Sequence, residues 1–66
     1  MYIEYLIKEV RKEKGLRLRE LSKKANVSAS HLSDIENGIK EPGFFIMIRI
    51  ARALDVELEK LYKLVL

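Results

Sequence analysis

Residues 28 to 37, in the middle of the chain, concentrate side chains that could read another molecule by hydrogen bonding. Ser28, Ser30, His31, Ser33, Asp34 and Asn37 supply hydroxyl, imidazole, carboxylate and amide groups, while Leu32 and Ile35 are the only large apolar residues among them. Such groups on one helix face, with the small Ala29 between them, suit the donor and acceptor pattern that base edges display in the major groove of duplex DNA. Asp34 could accept a hydrogen bond from cytosine N4; equally, it could stand as a solvated charge that repels phosphate and lowers non-specific affinity. His31 could reach a guanine or a phosphate, or simply face solvent in the first turn. The competing chemistry is catalysis, and its patterns are missing: the sequence holds no carboxylate pair, no glycine-rich phosphate loop and no Ser-His-Asp spacing. With no cysteine and one histidine, a disulfide, a thiol nucleophile and a zinc site are all ruled out or very poorly supplied. The expectation is a binding protein without cofactor or metal, not an enzyme.

A partner of this kind is a polyanion, so charge is the next test. The net charge of +3 is a weak signal, but its distribution is uneven. Between Lys8 and Lys24 lie eight basic residues and only three acids, which leaves the rest of the chain net acidic. A basic N-terminal half suits nucleic acid, although a solvated lysine-rich helix surface would look the same.

The elements that must hold these groups read as helical throughout. Ile3, Leu6, Ile7 and Val10 recur at helical spacing and predict a first helix over about 2–14, stopped by Gly15. Leu18, Leu21 and Ala25 predict a short second helix, followed by Asn26, which tolerates a left-handed turn. Ser28 is a good N-cap for the third, polar helix, which ends at Asn37-Gly38. After Pro42-Gly43, the stripe Phe44, Met47, Ile48, Ala51 and Leu54 predicts a fourth helix, and Leu58, Leu61, Tyr62 and Val65 a fifth. No segment alternates with period two. The predicted fold is all-α, a compact bundle of about five short helices in a single domain over residues 1–66. The opening run is too short and too interrupted for a membrane span or a signal peptide, so a cytoplasmic location is expected. The tight junction at Asn26-Val27 makes the second and third helices a helix-turn-helix, with the small Ala25 letting the backbones approach.

At this point the residues resemble the Cro and phage-repressor type of helix-turn-helix regulator. The matching elements are Arg11-x-x-Lys14-Gly15-Leu16, Leu21, Val27-Ser28-x-x-x-Leu32-Ser33-x-Ile35-Glu36-x-Gly38, Pro42, Ile50-Ala51-x-Ala53-Leu54-Asp55-Val56 and Leu58-x-x-Leu61, roughly fifty of the 66 residues. The resemblance implies that Ser28 caps the recognition helix near a phosphate, and that Ala29, Ser30, His31 and Asp34 reach base edges. It implies that Ser33 borders the groove, that Asn37 and Lys40 face the sugar-phosphate backbone, and that Arg11 pairs with Glu36 while lying close to DNA. The chain departs from the family at residues 17, 18 and 43. Arg17 replaces a small polar cap, Leu18 replaces a phosphate-gripping glutamine, and Gly43 replaces a capping serine. Arg17 and Arg19 are suited to take over the phosphate contact, since arginine donates in a planar fork.

Phe45 and Ile46 also depart from the family, standing where polar residues are usual, and with Ile50 they make the fourth helix apolar nearly all round. A stripe wider than the core needs suggests a second surface to cover. The expectation is a homodimer through Phe45, Ile46, Arg49 and Ile50; the alternative is that the C-terminal tail folds back over them. Tyr2 and Leu6 raise the same question on the first helix. These readings together predict a transcriptional regulator, a repressor, that binds an inverted-repeat operator in double-stranded DNA as a homodimer. The competing reading is a protein-interaction module or antitoxin-like partner that keeps the fold with weak or no DNA binding.

Overall fold

The computed structural model describes all 66 residues. Four helices form its body: α1 (Ile7–Glu13), α2 (Leu18–Ala25), α3 (Ala29–Glu36) and α4 (Phe44–Leu54). A 3₁₀ turn, Leu58–Leu61, follows α4. The two ends of the chain then meet as strands, β1 (Tyr2–Tyr5) and β2 (Tyr62–Val65), paired antiparallel with Tyr2 opposite Val65 and Tyr5 opposite Tyr62.

The fold is therefore mostly helical but not all-α, and it has four α-helices, not five. The helix expected from residue 2 begins at Ile7, and the expected fifth helix is a 3₁₀ turn followed by a strand. The cause is the composition of the ends. Tyr2, Ile3, Tyr5, Tyr62 and Val65 are aromatic or β-branched, and such residues pack well on a pleated surface. In the observed register Ile3 and Tyr5 share a face with Leu64 and Tyr62, an alternation that only pairing across the whole chain reveals. The Leu6 N–H donates to the Leu61 carbonyl at 2.8 Å and ties the sheet to the start of α1.

Each helix stops for a local reason. Gly15, at φ +72, lets the Leu16 N–H turn back to the Arg11 carbonyl at 3.1 Å and closes α1. Asn26 takes the left-handed conformation after α2 and Asp55 does so after α4. The α2 entry lacks a hydroxyl cap, but the Glu20 carboxylate accepts the Arg17 N–H at 2.7 Å, one half of a capping box. Nothing caps α4 through a side chain, in keeping with Gly43.

The core gathers Ile7 and Val10 from α1, Leu21 and Ala25 from α2, Val27 from the turn, Leu32 and Ile35 from α3, Met47, Ile50, Ala51 and Leu54 from α4, and Leu61. Helix α4 packs chiefly against α2. Its buried stripe is Met47, Ile50, Ala51 and Leu54, so the helix is rotated from the orientation its sequence suggested. Phe44 is 72% exposed and Ile48 only partly buried, while Ile50 is fully enclosed. An almost uniformly apolar helix offers two stripes, and the choice between them is made by its neighbours. Phe44 lies instead beside Ile3, Tyr5 and Tyr62, along a shallow apolar groove between the sheet and the start of α4. No helix is long and apolar enough to cross a membrane.

Candidate nucleic-acid interface

The α2–α3 junction consists of Asn26, Val27 and Ser28. Val27 is buried, its N–H donates to the Ser22 carbonyl at 3.0 Å, and its own carbonyl accepts from Ser22 Oγ at 2.5 Å. Ser28 then begins α3 by accepting the His31 N–H at 3.1 Å. A serine placed there satisfies one of the first-turn donors that a helix leaves open, which fixes where α3 starts. Leu32 and Ile35 anchor α3 in the core.

The remaining surface of α3 carries the sequence-derived candidates together. Ser30 is exposed, and Ala29, His31, Ser33 and Asp34 are partly so. Just past the helix, Asn37 is exposed and donates through Nδ2 to Ser33 Oγ at 3.3 Å. The Asp34 carbonyl accepts the N–H groups of Ile39 and Lys40 at 2.9 and 3.3 Å, which holds exposed Lys40 beside the end of α3. Arg17 and Arg19 are exposed at the start of α2. With Lys8, Lys12, Lys14, Lys23 and Lys24 they leave seven of the eight basic residues of this half exposed and outside any ion pair.

Arg11 is the exception. Its Nε and Nη2 donate to the two carboxylate oxygens of Glu36 at 2.7 and 3.0 Å, and its Nη1 donates to the Leu16 carbonyl at 2.9 Å. Both partners are enclosed, with 10% of the Arg11 and 4% of the Glu36 side chain exposed. The hydrogen bonds and charge of Glu36 hold the guanidinium above its usual range despite its burial. This pair ties the last turn of α1 to the last turn of α3. Arg11 was expected to lie against DNA as well, but three of its N–H groups bond inside the chain and only 10% of its side chain is exposed, so it is not part of the exposed basic surface.

Two expectations for α4 also change. Ile50, assigned to a contact with a second copy, is fully buried in the chain's own core. Arg49, assigned to the same contact, turns toward α2: Nε donates to the Ala25 carbonyl at 3.1 Å and Nη2 to the Asn26 carbonyl. Nothing in the sequence pointed to this, because backbone carbonyls 24 residues away carry no residue-type signal. Phe45 (70% exposed) and Ile46 (partly buried) remain at the surface.

Two short helices joined through a buried turn residue, the second held by a serine cap and presenting its polar face outward, define a helix-turn-helix domain. The profile of the helix-turn-helix family matches residues 7–61. The chain belongs to the Cro and phage-repressor type of helix-turn-helix family. It is 43% identical over 56 residues to the ImmF control region 10 kDa protein of Bacillus phage phi105, covering 85% of this chain and 62% of that protein. It is 41% identical over 56 residues to the regulator SinR of Bacillus subtilis (strain 168), covering 83% of this chain and 50% of SinR. The crystal structure of SinR in complex with DNA superposes with a TM-score of 0.76 and 41% identity over 80% of this chain and 86% of that one. The restriction-modification controller C.AhdI from Aeromonas hydrophila superposes with a TM-score of 0.80 and 26% identity, over 82% of each chain. The chain spans between 29% and 62% of the length of the first three curated relatives. Its relatives are transcriptional regulators with helix-turn-helix DNA-binding domains.

Proposed function

We propose that the chain binds duplex DNA sequence-specifically and regulates transcription, as a repressor, pairing as a homodimer on an inverted repeat. The observation that carries this reading is the exposed polar face of α3, held by Ser28, Leu32 and Ile35, beside the unpaired basic residues of α1 and α2. Ser30, Asp34, His31 and Ala29 are assigned to base edges. Ser28, Asn37, Lys40, Arg17 and Arg19 are assigned to the sugar-phosphate backbone, and Ser33 to the groove border. Phosphate contacts position the protein and base contacts specify the site, so the two groups must fail differently.

Charge reversal at Arg17 and Arg19 is expected to weaken binding to every duplex about equally. It should also flatten the slope of log affinity against log salt by roughly 0.9 per lost contact. Fluorescence anisotropy over a salt series measures this, and an unchanged slope would show that these arginines stand clear of DNA. Alanine at Ser30 or Asp34 should instead change base preference at one or two positions per half-site, read by anisotropy across duplexes that differ by single base pairs.

The homodimer is assigned to Phe45, which the chain's own core leaves exposed, and to the adjoining Ile46, which packs against that core on one side and is partly open on the other. A two-fold pair would set its two α3 helices about 34–36 Å apart, matching half-sites about 10 base pairs between centres. Phe45→Glu is expected to weaken pairing by about 2 kcal/mol, some thirtyfold, and to abolish cooperative binding of a full site. Helicity should persist because Phe45 lies outside the core. Sedimentation equilibrium with circular dichroism tests this: a parent chain that is already monomeric at high micromolar concentration removes the dimer.

A further inference from the structure

We propose that Arg49 is a positioning residue of the DNA-binding unit. From α4 it clamps the α2–α3 turn and so fixes how α3 is presented. The inference rests on the DNA-binding reading above.

The last carbonyls of a helix lack partners within it and carry the negative pole of its dipole. At the end of α2, the Ala25 and Asn26 carbonyls receive Nε and Nη2 of Arg49. A planar guanidinium can serve two such acceptors at once, whereas an ammonium has no matching fork. The chain at this point is held in an uncommon conformation, with Asn26 at φ 55. Only Val27 separates Asn26 from the cap of α3, and Val27 is pinned by Ser22 on both its N–H and its carbonyl. A shift at Asn26 therefore passes to Ser28 with little slack.

The other side of Arg49 faces the outer surface of α4. Its Cζ lies 5.9 Å from the centre of the Phe45 ring, which is largely open to water. Such a cation–ring contact is weak when solvated and strengthens when covered. Lys24 and Arg52 line the same groove, and no acid does, so the carbonyl end of α2 is the only negative group holding Arg49.

The test uses a duplex that the wild-type chain selects from a random 20-base-pair pool, against a random duplex of equal length. For Arg49→Ala we expect the ratio of selected to random affinity to fall about tenfold, the scale of a lost charged hydrogen bond. The salt slope should stay unchanged. Arg49→Lys keeps the charge but not the fork, and should lie nearer alanine than wild type. In both variants the Val27 amide should exchange faster with solvent while core amides and helicity are retained. An unchanged ratio, or full rescue by lysine, overturns the proposal. So does a uniform loss with the slope reduced by roughly 0.9, which would make Arg49 a phosphate contact. If the wild-type chain selects no sequence, the DNA-binding reading fails on its own. Val27 exchange then decides the clamp: faster exchange in Arg49→Ala upholds it and unchanged protection removes it.

Discussion

Glu36→Ala is expected to cost about 3–5 kcal/mol of folding stability, because it leaves the Arg11 charge enclosed without its partner. A chain of 66 residues has on the order of 3–10 kcal/mol in total, so much of the population should be unfolded in plain buffer at room temperature. The loss would also release the end of α3 from α1, where Arg11 bridges both carboxylate oxygens of Glu36 and the Leu16 carbonyl. Urea titration followed by circular dichroism gives the number. Removing both charges together, as in Arg11→Met with Glu36→Leu, should recover most of it, since no buried charge then remains unpaired. A loss below about 1 kcal/mol for Glu36→Ala would mean that the pair behaves as a solvated surface bridge.

The second large effect separates two isoleucines two positions apart on α4. Ile50→Ala is expected to destabilise the chain by about 2–5 kcal/mol, the range for emptying a fully enclosed aliphatic site. Ile48→Ala should cost clearly less, because that side chain is only partly buried. Paired urea titrations compare them directly. If Ile48 proves the costlier of the two, α4 is rotated relative to its neighbours, and the assignment of Phe45 to the outer surface goes with it.

The contrast between these residues shows where the sequence was legible. The α2–turn–α3 unit was readable because each boundary carries its own marker: Asn26 in its left-handed turn, Ser28 as cap, Gly38 beyond α3. Its apolar residues are also few enough to leave one choice of buried face. Helix α4 has too many apolar residues, so its existence was plain and its rotation was not. The ends misled because Ile3, Leu6, Ile7 and Val10 fit a helical stripe, while the strand pairing that overrides it joins residues at opposite ends of the chain. Of the candidate surface, the polar residues of α3 were found from their types and the Arg11–Glu36 pair through family resemblance. Arg49 lay beyond reach because its acceptors are main-chain carbonyls.

The β1–β2 pairing has a kinetic side. Bringing Tyr2 to Val65 closes a loop of nearly the whole chain, an entropic cost on the order of 3–4 kcal/mol if nothing between them is yet ordered. The contacts within α1, α2 and α3 and across their turns close much shorter loops. Helices that assemble first shorten the effective distance between the ends, so the strands meet late, when the tether is already mostly folded. The sheet is therefore expected to act as a zip fastened across a finished body, last to form and, in sub-global opening, first to part, with β1 and β2 amides exchanging ahead of those of α2 and α3.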